Sequence, residues 1–240
     1  MHPTALKNAA SFFSSYKDGF IKNDSVLVVE IGSQDVNGSL KDVCPKDFKY
    51  IGVDFQKAKN VDVVLSDPYK LPFENESIDI IVTSSCFEHS EMFWLVFLEV
   101  LRVLKPKGLF YINTPSRGNY HRYPVDCWRF YPDSGVALSS WGKMNNYNNL
   151  LLESYTQKTG PWGDLIAIFL KDANFVNYFP NRIVDHKKDF INGRKNSEID
   201  KILNRRASNN RNLITFSDIK KLIPKSLMPL ILKFWNKINF

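Results

Sequence analysis

Short apolar runs, separated by polar or turn-forming residues, constrain the fold of this chain more than any other feature. Their β-branched content and lack of polar alternation are typical of strands that are buried on both faces of a parallel sheet. Seven such runs occur, at 26–31, 50–54, 61–65, 78–83, 109–114, 150–156 and 165–170. The sequence therefore predicts a sheet of seven mostly parallel strands.

Helical patterns alternate with these runs. Apolar residues recur at spacings of three and four over 5–20 and 88–104, and 132–141 begins with a proline, as helices often do. The residues at 105–108, Lys-Pro-Lys-Gly, are expected to end the second helix. This alternation predicts an α/β fold, a three-layer Rossmann-like sandwich. In such sheets, ligands bind beyond the carboxyl ends of the strands.

Charge divides the 240 residues into two parts. Residues 1–180 carry 18 Lys and Arg against 20 Asp and Glu, whereas residues 181–240 carry 14 against 5. The net charge of +7 therefore comes from the C-terminal quarter. We predict a folded domain over 1–180 and a basic, helical C-terminal extension over 181–240.

The cysteines and the apolar runs indicate a compartment. The three cysteines, Cys44, Cys86 and Cys127, have no C-x-x-C spacing, which favours a reducing cytoplasm and predicts neither disulfides nor a metal site. No apolar run is long enough to span a membrane, and the N-terminal residues lack the pattern of a signal peptide. We therefore expect a cytoplasmic protein.

Candidate ligand-binding residues follow the first strands. Gly32 and the Asn37-Gly38 pair lie after the first run, but their spacing is not the G-x-G-x-x-G of a dinucleotide site. Asp54 ends the second run, where a carboxylate can accept hydrogen bonds from both hydroxyls of a ribose. Asp67 follows the third run, where it either contacts an adenine or forms a polar turn fixed by Pro68.

The order of these segments resembles that of the class I S-adenosylmethionine-dependent methyltransferases. The resemblance covers residues 26 to about 170, and Gln34 replaces the second glycine of the usual first loop. The segments in question are Glu-Ile-Gly-Ser at 30–33, Gly-Val-Asp at 52–54, Ser-Asp-Pro-Tyr-Lys-Leu-Pro-Phe at 66–73, Phe-Glu-His at 87–89 and Leu-Glu-Val-Leu-Arg-Val-Leu-Lys-Pro-Lys-Gly at 98–108. The Asn-Gly-Ser at 37–39 and the His-x-x-Pro-x-Asp-x-Trp-Arg-Phe at 121–130 resemble a bacterial branch of that family.

The resemblance implies S-adenosylmethionine as the cofactor. Glu30, Gly32 and Ser33 would border its methionine part, Asp54 its ribose, and Ser84 its sulfonium. Since this cofactor has no pyrophosphate, the lack of a phosphate-binding glycine motif is explained. The complete set of implied cofactor residues is Glu30, Gly32, Ser33, Asn37, Gly38, Asp54, Phe55, Ser66, Asp67, Pro68 and Ser84.

Residues 119–131, termed here the aromatic segment, are the candidate acceptor site. Aromatic rings can stack on the apolar face of a sugar while charged groups bond its hydroxyls, and the candidate residues for this role are Arg122, Tyr123, Trp128 and Arg129. A hydroxyl acceptor also needs a base, for which His121 is preferred, with His89 and Asp126 as further candidates. Alternatively, the rings pack the segment onto the core and Asp126 pairs with Arg129.

Residues 218–240 combine an apolar stripe with lysines. Such a basic amphipathic helix is typical of binding at an anionic membrane surface, although Pro224 and Pro229 interrupt it. The alternative is a terminal helix that packs on the domain or on a second subunit, so an oligomer is compatible with the sequence. Nucleic acid is not an expected partner, because an apolar stripe has no use there.

These features together predict O-methylation of a sugar or glycan, either free or lipid-linked, in cell-surface polysaccharide biosynthesis. Alternatives are a small-molecule O- or N-methyltransferase of secondary metabolism and a non-catalytic cofactor-binding module. A nicotinamide oxidoreductase is disfavoured because the glycine fingerprint is missing. A nucleic-acid amino-methyltransferase is disfavoured because Asp67-Pro68-Tyr69 follows the third strand, whereas the similar motif of that group follows the fourth.

Overall fold

The computed structural model describes residues 2–20 and 25–206, in which three helices and eight strands form one α/β unit. The unit also contains short 3₁₀ turns, such as Leu40–Val43 and Phe87–His89. The helices are α1 (Pro3–Tyr16), α2 (Phe93–Val103) and α3 (Pro132–Met144). The strands are β1 (Leu27–Ile31), β2 (Lys49–Asp54), β3 (Val63–Val64), β4 (Ile78–Ser84), β5 (Leu104–Pro115), β6 (Leu150–Gln157), β7 (Asp164–Leu170) and β8 (Phe190–Lys195).

The strands form a single sheet in the order β3-β2-β1-β4-β5-β7-β6-β8. Its first five strands are parallel, and β7 pairs antiparallel with both β5 and β6. Helix α1 covers one face, while α2 and α3 pack together over the other. The predicted three-layer sandwich with a mostly parallel sheet is therefore confirmed, with eight strands in place of the predicted seven.

The eighth strand corrects the predicted domain boundary at 180/181. Strand β8 pairs antiparallel with β6, and the compact unit continues to Arg205. Ile183, Val184 and Phe190 are buried, although the segment around them is polar and basic. Because so few apolar residues anchor this segment, its composition alone could not show that β8 belongs to the folded unit. The amphipathic helix predicted at 218–240 lies outside the residues that the structure describes.

Helix α1 has the amphipathic character that its spacing predicts. Its buried face includes Phe12, whose ring lies 4.9 Å from that of Tyr111 in β5. Tyr16 at the end of the helix donates a 2.5 Å hydrogen bond to the buried carboxylate of Glu153 in β6. Glu153 also accepts the backbone N–H groups of Ile183 and Val184. One buried carboxylate thus ties α1 and the segment before β8 to the sheet.

The boundaries of two elements differ from the predictions. Helix α2 begins at Phe93 because residues 87–89 form a separate 3₁₀ turn. Residues 105–108 do not lie in a turn between helix and strand. The pairing of β4 with β5 passes from Ile78–Leu104 directly to Ile80–Leu109, so the intervening residues form a bulge within β5. A proline and a glycine are accommodated there without a break in the strand.

Across residues 2–20 and 25–206, no helix combines the length and the apolar character that crossing a bilayer requires.

Candidate active site

A cavity of about 620 Å³ lies beyond the carboxyl ends of β1, β2 and β4. This volume is within the range of small-molecule sites, and the position is the one at which parallel sheets bind ligands. The lining includes nine of the predicted site residues, namely Gly32, Gly38, Asp54, Phe55, Ser66, Pro68, Ser84, His89 and Tyr123. These nine residues, which the sequence singled out separately, therefore line one cavity.

Gly32 brings two loops together at the floor of the cavity. Its backbone has φ of +78°, a conformation that favours glycine, and a Cβ atom there would lie 2.8 Å from the Cβ atom of Cys86. Cys86 belongs to the loop after β4 and also lines the cavity. Burial raises the pKa of its thiol to about 12, so the thiol stays protonated at neutral pH. Cys86 is a lining residue that the sequence did not suggest.

Asp54 is a buried carboxylate at the end of β2. Its Oδ1 atom accepts the N–H of Phe55 at 2.7 Å, and its Oδ2 atom accepts the N–H of Gln34 at 3.2 Å. Each oxygen keeps a further lone pair, and the residue lines the cavity. The arrangement suits two neighbouring hydroxyls, as the sequence predicted for a ribose.

The wall next to Asp54 is largely apolar. Phe55, Leu65, Pro68 and Tyr69 line it, and they provide the flat contacts that a purine ring requires. Asp67 does not belong to this lining. Its Oδ1 atom accepts the N–H of Tyr69 at 2.8 Å, which makes it the polar turn that the sequence offered as the alternative.

Glu30 and Ser33 lie outside the cavity lining, in contrast to the implied contact with the cofactor. Side chains alternate along β1, so Glu30 points to the face opposite Val29 and Ile31. There its carboxyl accepts the Tyr50 hydroxyl at 2.7 Å, and burial raises its pKa to about 7. Ser33 is buried below the loop, where its Oγ atom would lie 2.6 Å from a Cβ atom on Gly52.

The remainder of the first loop is shaped by Gly38. Its φ is +111°, and its N–H donates to the Asp35 carboxylate at 2.7 Å. Asn37 beside it is exposed and lies outside the cavity lining. Ser39 caps the 3₁₀ turn Leu40–Val43, so the first loop leads into a single turn.

Asp126 holds the aromatic segment in shape. Its buried carboxylate accepts hydrogen bonds from the Arg129 guanidinium at 2.5 and 2.8 Å and from the N–H of His121 at 2.7 Å. The Arg129 contact holds the pKa of Asp126 well below its usual range. A carboxylate so engaged is a weak base, so Asp126 corresponds to the internal ion pair that the sequence offered as the alternative.

Two histidine rings are in contact next to the cavity. The rings of His89 and His121 meet edge to face with centroids 4.9 Å apart, and His89 lines the cavity. Burial lowers the pKa of His89, which favours the neutral imidazole. Trp162 packs on His121 at 4.7 Å and donates a hydrogen bond to His2 at 2.7 Å. His2 and Trp162 come from distant parts of the chain, and no sequence pattern pointed to them.

The aromatic side chains of the segment have two kinds of environment. Trp128 packs against Phe93 and donates its indole N–H to the carbonyl of Ser90. Tyr120 and Tyr123 are 74% and 49% exposed, and Arg122 is also exposed. Packing therefore accounts for part of the Trp128 ring, while the two tyrosines and Arg122 remain available to a ligand.

Comparison with known proteins agrees with this geometry. Residues 39–112 match the model of a family described as "Methyltransferase domain". No curated protein sequence matches the chain.

Three solved structures share the fold. A SAM-dependent methyltransferase from Archaeoglobus fulgidus has a TM-score of 0.52 at 14% identity, covering 70% of this chain and 93% of that one. A putative sarcosine dimethylglycine methyltransferase from Galdieria sulphuraria has a TM-score of 0.50 at 15% identity, covering 70% and 84%. The [4+2]-cyclase SpnF has a TM-score of 0.50 at 12% identity, covering 70% and 82%. At such identities the likeness shows the fold alone.

The family match indicates the kind of activity, which the shared fold alone does not indicate. It begins at Ser39, directly after the first loop, and ends within β5, so it contains Asp54, the apolar wall and His89. Residues 39–112 therefore match part of a methyltransferase domain, and the chain around them shares the fold of the SAM-dependent methyltransferase from Archaeoglobus fulgidus.

Proposed function

We propose that the chain transfers a methyl group from S-adenosylmethionine to a hydroxyl of a sugar or glycan in cell-surface polysaccharide biosynthesis. The observation that carries this proposal is the juxtaposition of a nucleoside-suited cavity with the aromatic segment. Tyr123 lines that cavity while its neighbour Arg122 faces solvent. An acceptor can thus approach one end of the cavity from outside.

The residues of the cavity fit the cofactor. Asp54 can accept the hydroxyls of the ribose, and Phe55, Leu65 and Pro68 can enclose the adenine. Gly32 allows the ligand to approach the main chain, and Ser84 lines the cavity at the end of β4. When bound, this cofactor supplies a methyl group on a sulfonium, which is a strong electrophile. The protein then has mainly to align the acceptor oxygen and exclude water.

A hydroxyl acceptor must lose its proton during transfer. We assign the base to His121, with His89 as the second candidate. The Nδ1 atom of His121 lies 3.2 Å from the carbonyl oxygen of Asn119. Since a carbonyl only accepts, Nδ1 carries the hydrogen and the other ring nitrogen keeps its lone pair. A positioned base of this kind contributes a factor on the order of 10² to 10⁴ to the rate.

The exposed part of the aromatic segment favours a sugar over a small apolar metabolite. Tyr120 and Tyr123 offer exposed rings for the apolar face of a sugar, and Arg122 offers donors for its hydroxyls. A small-molecule acceptor of secondary metabolism would be better served by a closed, apolar pocket. Arg129 is committed to Asp126, so it contributes less to the acceptor than the sequence suggested.

The location of the protein follows from the kind of acceptor. A cytoplasmic protein that reaches lipid-linked glycans would work at the inner face of the membrane, and the apolar stripe and lysines of residues 218–240 are suited to that surface. Deletion of 218–240 should release the protein from anionic vesicles in a co-sedimentation assay. Unchanged co-sedimentation would refute the membrane role without affecting the proposed reaction.

Methyl transfer from labelled S-adenosylmethionine tests the acceptor class. The panel contains nucleotide sugars, lipid-linked oligosaccharides, and small phenols and amines. Incorporation into a sugar that alkali does not release, as expected of a methyl ether, supports the proposal. Incorporation only into phenols or amines would favour the alternative small-molecule function. Cofactor binding without transfer to any acceptor, including purified cell-surface glycan, would favour the non-catalytic module.

A further inference from the structure

Three potential metal ligands converge beside the cavity. Glu88 and His89 belong to the 3₁₀ turn after β4, and His121 comes from the aromatic segment. One ligand atom from each of the three residues lies within 4.8 Å of the other two. Within this group, the Nε2 atom of His89 is 3.8 Å from the Oε1 atom of Glu88.

The hydrogen bonds of both histidines leave a lone pair for a ligand. The Nδ1 atom of His89 donates to the carbonyl of Val125, and that of His121 to the carbonyl of Asn119. Metal-binding histidines are commonly held this way, because a carbonyl on one ring nitrogen fixes the tautomer and aims the other at the metal. The Nε2 atoms are therefore the available ligand atoms.

The carboxylate of Glu88 is arranged in the same manner. Its Oε2 atom accepts the Thr114 hydroxyl at 2.8 Å, while Oε1 is the atom directed towards His89. The Glu88 side chain is only 1% exposed. A buried carboxylate oriented by a hydroxyl and lying next to two imidazoles is a typical ligand set for a divalent metal.

The surrounding charges also suit a cation. Asp126 and Arg129 neutralise each other through two hydrogen bonds, so they add little net charge. Glu88 remains as the uncompensated acidic group of the cluster when it is ionised. Trp162 packs against His121, which limits the access of water from that side.

We propose that Glu88, His89 and His121 bind one divalent transition-metal ion, with zinc or cobalt as the matching class. Ligands about 2.1 Å from one ion can lie at most about 4.2 Å apart, so the widest pair must close by less than about 1 Å. Three protein ligands leave a coordination position open. His89 lines the cavity, so that position is reachable by an acceptor.

The use of such an ion rests on the proposed function, whereas its binding does not. An acceptor hydroxyl in the open position would have a lowered pKa and would release its proton to water, leaving the oxygen on the ion as the nucleophile. With the ion bound, the lone pair of His121 would coordinate the ion and could not accept a proton. The ion would then activate the acceptor hydroxyl in place of the histidine. The cysteine spacing gave no sign of this site, because none of its ligands is a thiol.

Titration of the chelator-treated full chain with Co²⁺, followed by its visible absorption, tests the site directly. The expected result is one ion per chain, with Zn²⁺ displacing it. His121→Gln should weaken binding at least about tenfold, and Glu88→Gln should act in the same direction. His121 is 37% exposed, so its replacement should leave the fold intact. The matched control is His186→Ala, which changes an exposed histidine far along the chain and should bind as the wild type does.

Two results would overturn the metal site. One is the absence of stoichiometric binding in a folded sample, and the other is unchanged binding in His121→Gln. Binding of S-adenosylhomocysteine to each variant shows that the fold is retained. It also separates the two proposals, because a chain that binds this ligand and methylates a sugar in the presence of a chelator keeps the proposed function and loses the metal.

Discussion

The hydroxyl of Tyr123 donates a 2.6 Å hydrogen bond to the Oε1 atom of Gln34. This bond joins the aromatic segment to the loop after β1, and both residues line the cavity. Gln34 stands where the first loops of the methyltransferases that the sequence resembles have their second glycine. Its side chain therefore has a use here that glycine could not supply, since it links the cofactor side of the cavity to the acceptor side.

Tyr123→Phe should speed the exchange of the cofactor. The lost hydrogen bond is worth about 1 kcal/mol, which corresponds to roughly fivefold faster dissociation of S-adenosylhomocysteine in stopped-flow measurements. Tyr120→Phe is the control, because Tyr120 is 74% exposed and in the same segment. Equal dissociation rates for wild type and Tyr123→Phe would show that this hydrogen bond does not slow the release of S-adenosylhomocysteine.

The position of the cofactor site could be predicted from the sequence because it depends on local rules. Gly32 follows Ile31, and Asp54 follows Val53, and these two strand residues are paired in register. Their side chains and loops must therefore meet at one edge of the sheet. Glu30 was assigned to the cofactor only through the family resemblance, and the alternation of side chains along β1 turns it to the face opposite Val29 and Ile31.

The acceptor side depends on contacts that no local pattern encodes. His2, His121 and Trp162 meet although they are separated by more than a hundred positions at the extremes. The bond between Gln34 and Tyr123 likewise joins two loops from different strands. Asp126 was predicted both as a base and as an ion pair, and only the geometry of Arg129 distinguishes the two.

Gly32→Ala should damage both the loop and the cofactor site. A non-glycine residue at φ of +78° with a Cβ atom 2.8 Å from that of Cys86 is strained, at a cost of about 1–3 kcal/mol. Urea unfolding should register the loss of stability. Calorimetry should register at least a tenfold loss of affinity for S-adenosylhomocysteine, because the loop has to move.

Gly135→Ala is the matched control for this change. Gly135 lies inside α3, where the nearest atom to a new Cβ is the end of the Leu151 side chain at 3.1 Å. Alanine is also the better helix former by about 1 kcal/mol. Cofactor affinity should be unchanged in this variant. A Gly32→Ala protein that binds as tightly as the control would contradict the close approach of the two loops.

Glu30 should make the stability of the protein depend on pH. Burial raises its pKa from the ordinary value of 4.5 to about 7, so the folded state binds the proton more tightly than the unfolded state. Its contribution is fully present below pH 4.5 and is lost as the pH rises through about 7. Tyr50 and Cys44 face this carboxyl and stay protonated over that range, because burial raises the pKa of each.

Glu30→Gln isolates this effect. Glutamine keeps an oxygen for the Tyr50 hydroxyl but cannot ionise, so the variant should gain stability relative to the wild type as the pH rises. The relative gain between pH 4.5 and pH 8 should reach up to about 3 kcal/mol in urea unfolding. Parallel pH profiles for the two proteins would show that Glu30 does not titrate in this range.

His121→Ala should reduce methyl transfer on the order of 10²- to 10⁴-fold while leaving the affinity for S-adenosylhomocysteine unchanged. The loss follows whether the histidine acts as a base or as a metal ligand, since both roles use the same lone pair. Transfer assays and calorimetry on one sample of the variant provide the two readouts. Near-normal turnover would remove His121 from the reaction, and His186→Ala checks for unspecific effects.

The most direct test of the account is calorimetric titration of the purified protein with S-adenosylhomocysteine, with Asp54→Ala titrated in parallel. Asp54 lines the cavity with lone pairs suited to the ribose, and each of its oxygens already accepts one backbone N–H. The wild type should bind with micromolar affinity, and the variant should lose this binding. A folded wild type that does not bind, or a variant that binds equally well, would contradict the assignment of this cavity to the cofactor.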